Sequence, residues 1–260
     1  MNPAIGLVVA LNAEASALIG HGRWQHAEGC LFRRSRLTEG THLVVARSGM
    51  GAKNASMASR WLIREGVAAL AVSGVSGGLS PDLMPGDLVL ADSVMEEKGN
   101  QFKQIWEGNS AFVDMAHAGL MDKGISAYSG PIITVPGPVF SAGDKHALFA
   151  KSKALAVDME SAAVAAAAGN AGLPFFAFRA VCDAAGRSIP DDFLDFINQR
   201  GRVRLFRLLR RLFLKPTLVS DLLRMKRDFG TALAGLGRAW HMAIRDILPS
   251  LLLPIGTPGM

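Results

Sequence analysis

Cysteine is scarce in this chain: two residues among 260, Cys30 and Cys182. They stand far apart in sequence, which leaves no disulfide framework and no Cys/His spacing suited to a metal. The cytoplasm is therefore the expected compartment. No uninterrupted apolar run approaches the ~20 residues that span a bilayer. The N-terminus shows no basic region, apolar stretch and small-residue cleavage site of the kind that marks a secretory signal. Acids are outnumbered, 22 Asp and Glu against 28 Lys and Arg, a formal charge of +6. The surplus is concentrated: Arg200, Arg202, Arg204, Arg207, Arg210, Arg211, Lys215, Arg224, Lys226 and Arg227 crowd one region. These cations alternate with leucines, not with stacking aromatics, which argues against nucleic acid as the partner and leaves an anionic surface such as lipid.

Half of the residues are hydrophobic and 28 are glycine, a composition that suits a buried sheet with tight strand-to-helix turns. Short apolar runs at 4–11, 42–46, 68–73, 88–91 and 131–135 read as strands buried on both faces. Residues 52–65 carry helical periodicity, with Gly66 placed to stop the helix. The stretch 95–129 reads as a loop entering a helix near 111–123, and Pro136 to Phe140 as a stiff turn. Strands alternating with helices predict a three-layer α/β/α sandwich with a mixed central sheet. Beyond residue 197 the pattern changes to a basic helical extension, 198–260. Leu205, Leu208, Leu209 and Leu212 form one face there, and Arg204, Arg207 and Arg211 another. A second helix is expected from 218 to 233, packing through Leu222, Leu223 and Phe229, and the tail from Pro249 reads as irregular.

The most informative segment is Ala156 to Ala163, AVDMESAA, followed by Phe175 to Asp183. The first reads as a helix that opens at an acid, the second as a buried strand ending at an acid. Ligands collect at the carboxyl ends of strands and the starts of helices, so Glu160 and Asp183 are expected to face one pocket. An acid at a helix start also serves as a cap.

Five stretches in order resemble the nucleoside phosphorylase and nucleosidase superfamily, in particular the methylthioadenosine/S-adenosylhomocysteine nucleosidases. They are Ile5 to Glu14, Ser48-Gly49-Met50-Gly51, Ser73 to Leu79, Pro85 to Val89, and the Asp158-Met159-Glu160 and Asp183 pair. The resemblance spans residues 1–197 and implies cleavage of the N-glycosidic bond of a 5′-substituted adenosine. It assigns Asp183 to protonating the base, Glu160 to clamping the ribose, and Glu14 to the water. It also points to Met50 and Met159 against the ribose, Phe140 stacking on the base, Gly77 beside the ligand, Asp158 as a third acid, and Phe193 near the 5′ end. Each has a plain structural alternative: Met and Phe fill cores, and glycines end strands. Arg179 reads as an anchor for the acids. Phosphorolytic members carry an arginine and a serine where this chain has Val72 and Val75, which favours water as nucleophile, although Arg47 or Lys53 could supply charge. Phosphorolysis and a non-catalytic nucleoside- or lipid-binding role remain the rivals. No metal or organic cofactor is implied, and a homo-oligomer is.

The basic extension looks like the tail of the hopanoid-associated phosphorylase-like branch, which implies adenosylhopane as substrate and a peripheral seat on the membrane. Covering the core or building an oligomer interface are the alternatives for the same helices.

Overall fold

In the computed structural model, which describes residues 2–99, 101–188 and 218–253, the apolar runs become the strands of one ten-stranded mixed sheet. Strand β1 (Ala4–Val9) lies between β4 (His42–Arg47) and β5 (Ala69–Gly78), parallel to both. β10 (Phe175–Asp183) also runs parallel to β5. From β10 the sheet continues through β6 (Leu88–Lys98), β8 (Ala127–Thr134) and β9 (Ala156–Asp158) back to β5. Because β5 pairs with both β9 and β10, these five strands close on themselves and β5 has no free edge. On the other side β4 continues into β3 (Cys30–Arg36) and β2 (Gln25–Ala27).

Alternation along the strands sends side chains into cores on both faces of the sheet, with a smaller cluster of Leu79, Ile133, Val135, Leu148, Ala154 and Val157 beside them. Ile5, Leu7 and Val9 pack with Ala15 and Leu18 of helix α1 (Asn12–Ile19) and with Val113 and Ala116 of α3 (Ser110–Met121). Val8, Val44 and Val72 pack with Trp61 and Leu62 of α2 (Ala52–Arg64) and with Val164 and Ala165 of α5 (Ser161–Asn170). The three-layer α/β/α arrangement expected from the sequence is the one observed, and Gly66 closes α2 at φ +79° as its position suggests.

Several expectations are corrected. The stretch read as a loop from 95 is the far half of β6 followed by β7 (Gln101–Glu107), an antiparallel hairpin. Its polar residues hid it, because this hairpin is only partly buried. The segment 156–163 is not one helix: Ala156–Asp158 is a strand, and α5 begins at Ser161 with Glu160 at its N-cap. The glycine-rich Ser73 to Gly78 is no exit turn but the second half of β5. Helix α4 (Ala142–Ser152), capped by the Ser141 hydroxyl on Asp144 N–H at 2.9 Å, was not anticipated. Leu248–Leu252 is a 3-10 turn with Pro249 in its first turn, where Pro is tolerated.

The second half of the basic extension packs on the core. Helix α6 (Leu218–Ala239) runs into a π-helical turn at Trp240–Ile244. Its inward face is Ala232, Leu236, Ala239, Trp240, Ala243 and Ile244, spaced by three and four. Leu223, expected to pack, is 62% exposed; small residues among the large apolar ones, Ala232, Gly235 and Ala239, let the helix approach closely. A Cβ on Gly235 would lie 2.5 Å from the Gly86 carbonyl oxygen. Trp240 stacks on Phe178 of β10, centroids 6.2 Å apart. The helix expected over 204–212, with Arg204, Arg207 and Arg211, lies outside the described residues, as does Phe193.

If α6 and its π turn are part of the core, Trp240→Ala destabilises the protein by roughly 3–5 kcal/mol, the range for deleting a buried aromatic. Urea denaturation of the variant against the parent chain measures it; a change under 1 kcal/mol would mean that the extension merely rests on the surface.

Candidate active site

Strand β5 is the floor of the site, and its glycines decide what can approach it. Gly77 pairs with Asp183 of β10 on one side and with Val157 of β9 on the other. The last residue of β10 and the residue before Asp158 thus flank one glycine. A Cβ there would meet Val157 Cγ1 at 3.1 Å and Asp183 Oδ1 at 3.5 Å. Gly74 is more constrained. A Cβ on it would sit 2.5 Å from Glu14 Oε1 and 2.8 Å from Arg179 Nη1. The glycine is what lets a carboxyl from α1 and a guanidinium from β10 meet above β5.

Glu14 stands in the first turn of α1, just past β1, with both oxygens engaged. Oε2 accepts from Ala10 and Leu11 N–H at 3.0 and 2.7 Å, and Oε1 from Val75 N–H at 3.0 Å. Burial raises its pKa above the ordinary carboxyl value. The Val75, Leu11 and Ala10 N–H groups and Arg179 pull the other way without cancelling the effect.

Arg179 organises the rest. It is 1% exposed and reaches Asp158 Oδ2 at 2.6 Å and Glu160 Oε2 at 3.5 Å, with the Ser161 hydroxyl at 3.1 Å. Burial works against its charge, and the carboxyls of Asp158, Glu160 and Glu14 outweigh that cost and hold it charged. Asp158 spends its oxygens on the protein. Oδ1 accepts from the Thr134 hydroxyl at 2.7 Å and from Glu160 and Ser161 N–H, and Oδ2 takes the Ser161 hydroxyl besides Arg179. It holds the start of α5 in place. Glu160 is freer. Oε1 accepts from Gly51 N–H at 2.7 Å, the residue after Met50, so Met50 and Met159 both adjoin its surroundings, each half-buried. Burial lifts its pKa to about 7; Arg179 and the Gly51 N–H oppose the lift, and the Asp158 and Glu14 charges add to it.

Asp183, 6% exposed, closes β10. Its Oδ2 is hydrogen-bonded to Lys145 Nζ, a fully buried ammonium from α4. Its Oδ1 accepts from the Cys182 thiol at 3.2 Å, a thiol that burial and the adjacent Asp183 push well above its usual pKa. Lys145 escaped sequence reasoning because the helix that carries it did. The usable signal was Ser141 with Asp144 three residues later, a helix N-terminus pattern just after the Pro-Gly-Pro turn. Phe140 is half-buried immediately before that cap.

Burial thus gathers Glu14, Glu160 and Asp183 about β5, with one guanidinium and one ammonium behind them. A family model described as the phosphorylase superfamily matches residues 4–213. The chain belongs to the phosphorylase superfamily. Among curated members, the 5′-methylthioadenosine/S-adenosylhomocysteine nucleosidase of Geobacillus kaustophilus is 30% identical over 191 residues, 67% of this chain and 80% of that protein. The nucleosidase of the same name from a Marinomonas species is 29% identical over 221 residues, 74% of this chain and 91% of the other. Among solved structures, a mutant Helicobacter pylori nucleosidase with 5′-methylthioadenosine in its active site superposes with a TM-score of 0.71 at 18% identity. It covers 96% of this chain and 100% of its own. Futalosine hydrolase from the same organism gives a TM-score of 0.68 at 19% identity, over 97% of this chain and 98% of its own. At those identities the likeness is one of fold.

Two outcomes follow from this geometry. Below about 4.5 the Glu160 carboxyl holds its proton folded or unfolded; between about 4.5 and about 7 only the folded form holds it; above about 7 neither does. Its contribution to stability therefore falls as pH rises through that window and is level above it. Thermal melting of the ligand-free protein in steps from pH 4.5 to 8 reads that slope, and Glu160→Gln flattens it. Gly74→Ala forces Glu14 and Arg179 apart and lowers the melting temperature by more than the ~4 °C that a loss of about 1 kcal/mol gives in a domain of this size. An unchanged melting curve would show that the two groups do not meet over β5.

Proposed function

We propose that this protein hydrolyses the N-glycosidic bond of a 5′-substituted adenosine and releases adenine. The observation that carries the reading is the convergence of Glu14, Glu160 and Asp183 on β5, each buried and each on a different element. As the bond from C1′ to the base breaks, its electron pair goes to the purine. Asp183 gives its proton to N7, so that a neutral base leaves. Water adds its oxygen to C1′, and Glu14 takes the water's proton; burial, by raising its pKa, makes Glu14 the stronger base. Glu160 accepts hydrogen bonds from the ribose hydroxyls and faces the positive charge that grows on the sugar. Met50, Met159 and Phe140 supply apolar walls.

Water is favoured over phosphate by charge. Around Glu14 one guanidinium meets three carboxyl groups, Glu14, Asp158 and Glu160, a poor place for a dianion. Val72 and Val75 offer no cation or hydroxyl, and Arg47 is committed to Asn12 Oδ1 at 3.0 Å and the face of Trp24 at 4.8 Å.

For the 5′ group the reading is a large apolar lipid, adenosylhopane. Arg224, Lys226 and Arg227 are exposed on α6 beside the exposed Leu223. Cations bordering an apolar side chain suit the headgroup region of an anionic membrane. Among the described residues no helix is long and apolar enough to cross a bilayer, so the association would be peripheral. Assembly into a homo-oligomer completes the proposal.

Adenine release in phosphate-free buffer tests it, with adenosylhopane in liposomes and 5′-methylthioadenosine as parallel substrates. Release from the first supports the lipid assignment; release from the second alone restricts the reading to small 5′ groups. Appearance of a ribosyl 1-phosphate only on adding phosphate would overturn the choice of water. Asp183→Asn should cut release by at least about 10²-fold while nucleoside binding persists. Because Glu160 acts ionised, kcat/KM should rise with pH through about 7 on the acid side.

A further inference from the structure

Resting on the nucleosidase reading above, we infer that Lys145 is the positioning residue of the leaving-group acid: it fixes Asp183 Oδ2 and meets the charge left on that carboxyl when the base takes its proton. Lys145 lies in the first turns of α4 and is 0% exposed. Its Nζ donates to Asp183 Oδ2 and to the carbonyls of Ala184 and Arg187, both at 3.1 Å. Three acceptors match the three donors of an ammonium, so no N–H remains for a ligand. Lys145 therefore reaches the chemistry only through Asp183. With Oδ2 taken by the ammonium, Oδ1, whose partner among the described residues is the weak Cys182 thiol donor, is the oxygen left to meet the base.

The charged and titratable groups about Asp183 are few. Lys145 comes from α4 and Cys182 from the same strand. Glu14 of α1 stands farther off, within electrostatic reach of Cys182. Arg187 presents its carbonyl, while its guanidinium turns away to Asp228 of α6. Among the described residues Lys145 is the one cation bonded to this carboxyl. When the C1′ to base bond breaks and the proton passes from Asp183 to N7, a carboxylate appears opposite an ammonium that keeps all its own protons. An attraction that strengthens as the proton moves lowers the barrier to that step.

The arrangement is built to hold: Ser141 caps α4, and the Ser188 hydroxyl accepts from Ala142 N–H at 3.0 Å, so the start of the helix is joined to the loop after Asp183 next to Lys145 as well as through it.

The test is Lys145→Met on two substrates with one 5′ group: the adenosine, and a p-nitrophenyl riboside whose leaving group departs without a proton. The expected result is a fall of about 10²-fold in kcat for adenine release with KM little changed, and a p-nitrophenol rate near that of the parent protein. Equal losses on both substrates, or an unchanged kcat for adenine release, would overturn the inference. Should the single variant fold poorly, Lys145→Arg keeps a cation against Asp183 and should hold adenine release within about tenfold of the parent. A folded Lys145→Arg protein as slow as Lys145→Met on both substrates would assign Lys145 to the fold alone. A parent protein that releases no adenine from any 5′-substituted adenosine defeats the nucleosidase reading itself; one that does, with both substrates slowed alike by Lys145→Met, defeats this inference only.

Discussion

The buried guanidinium of Arg179 is the constraint on which the site depends. A charge with 1% exposure cannot be left to solvent, and an unpaired ion at that depth would cost several kcal/mol. Asp158 meets it most closely, and in doing so is fixed where it can also receive Thr134, Glu160 N–H and Ser161. Those bonds set the start of α5, and the start of α5 sets Glu160. Glu14 enters the same field from the other side of Gly74. A central cation thus makes it tolerable to bury acids close together, and burial, helped by the charges of Asp158 and Glu14, lifts the Glu160 carboxyl to about 7 against the pull of Arg179.

A second, separate ion pair serves Asp183. Lys145 does for the far end of β10 what Arg179 does for its middle. Buried pairs of this kind are weak evidence for stability, since apolar replacements often do as well. Their worth here lies in orientation: each cation fixes the carboxyls that it meets, Arg179 those of Asp158 and Glu160 and Lys145 that of Asp183. Through the Arg187 carbonyl and the Arg187 to Asp228 pair, the surroundings of Lys145 continue into α6, so the basic extension is tied to the loop that follows the acid.

How much of this was legible beforehand depended on burial. Runs such as Ala4 to Val9 and Phe175 to Val181 are apolar because both faces of the strand are covered, and a run of that kind is visible without coordinates. The acids Glu14, Glu160 and Asp183 were visible too, because each follows or precedes such a run at a strand end or helix start. Strand β7 was not, since a hairpin with one face toward water alternates weakly and its Lys and Gln residues read as loop. Strand β9 was hidden by its length, three residues, beside an alanine-rich helix whose propensity dominates the window. For α6 the leucines misdirected: Leu223 points outward while Ala232 and Gly235 form the contact, because close approach between backbones rewards small side chains. Lys145 could not be reached from charge patterning, since a lysine on a polar helix is ordinarily solvated, and only the third dimension turns it inward.

Strand β5 pairs with β1 from the beginning of the chain and with β10 from more than a hundred residues later. Such pairings between distant segments carry a large loop-closure penalty and are made late in folding. A chain emerging from the ribosome can assemble β1, β4 and α2 around β5, yet it has neither Arg179 nor Asp183 until Phe175 to Asp183 is synthesised and docked. Until then Glu14 and β5 hold an incomplete site. Docking of the last strand in the closed ring thus carries Arg179 to Asp158 and Glu160 and carries Asp183 to Lys145, so one pairing of strands completes both charged clusters at once.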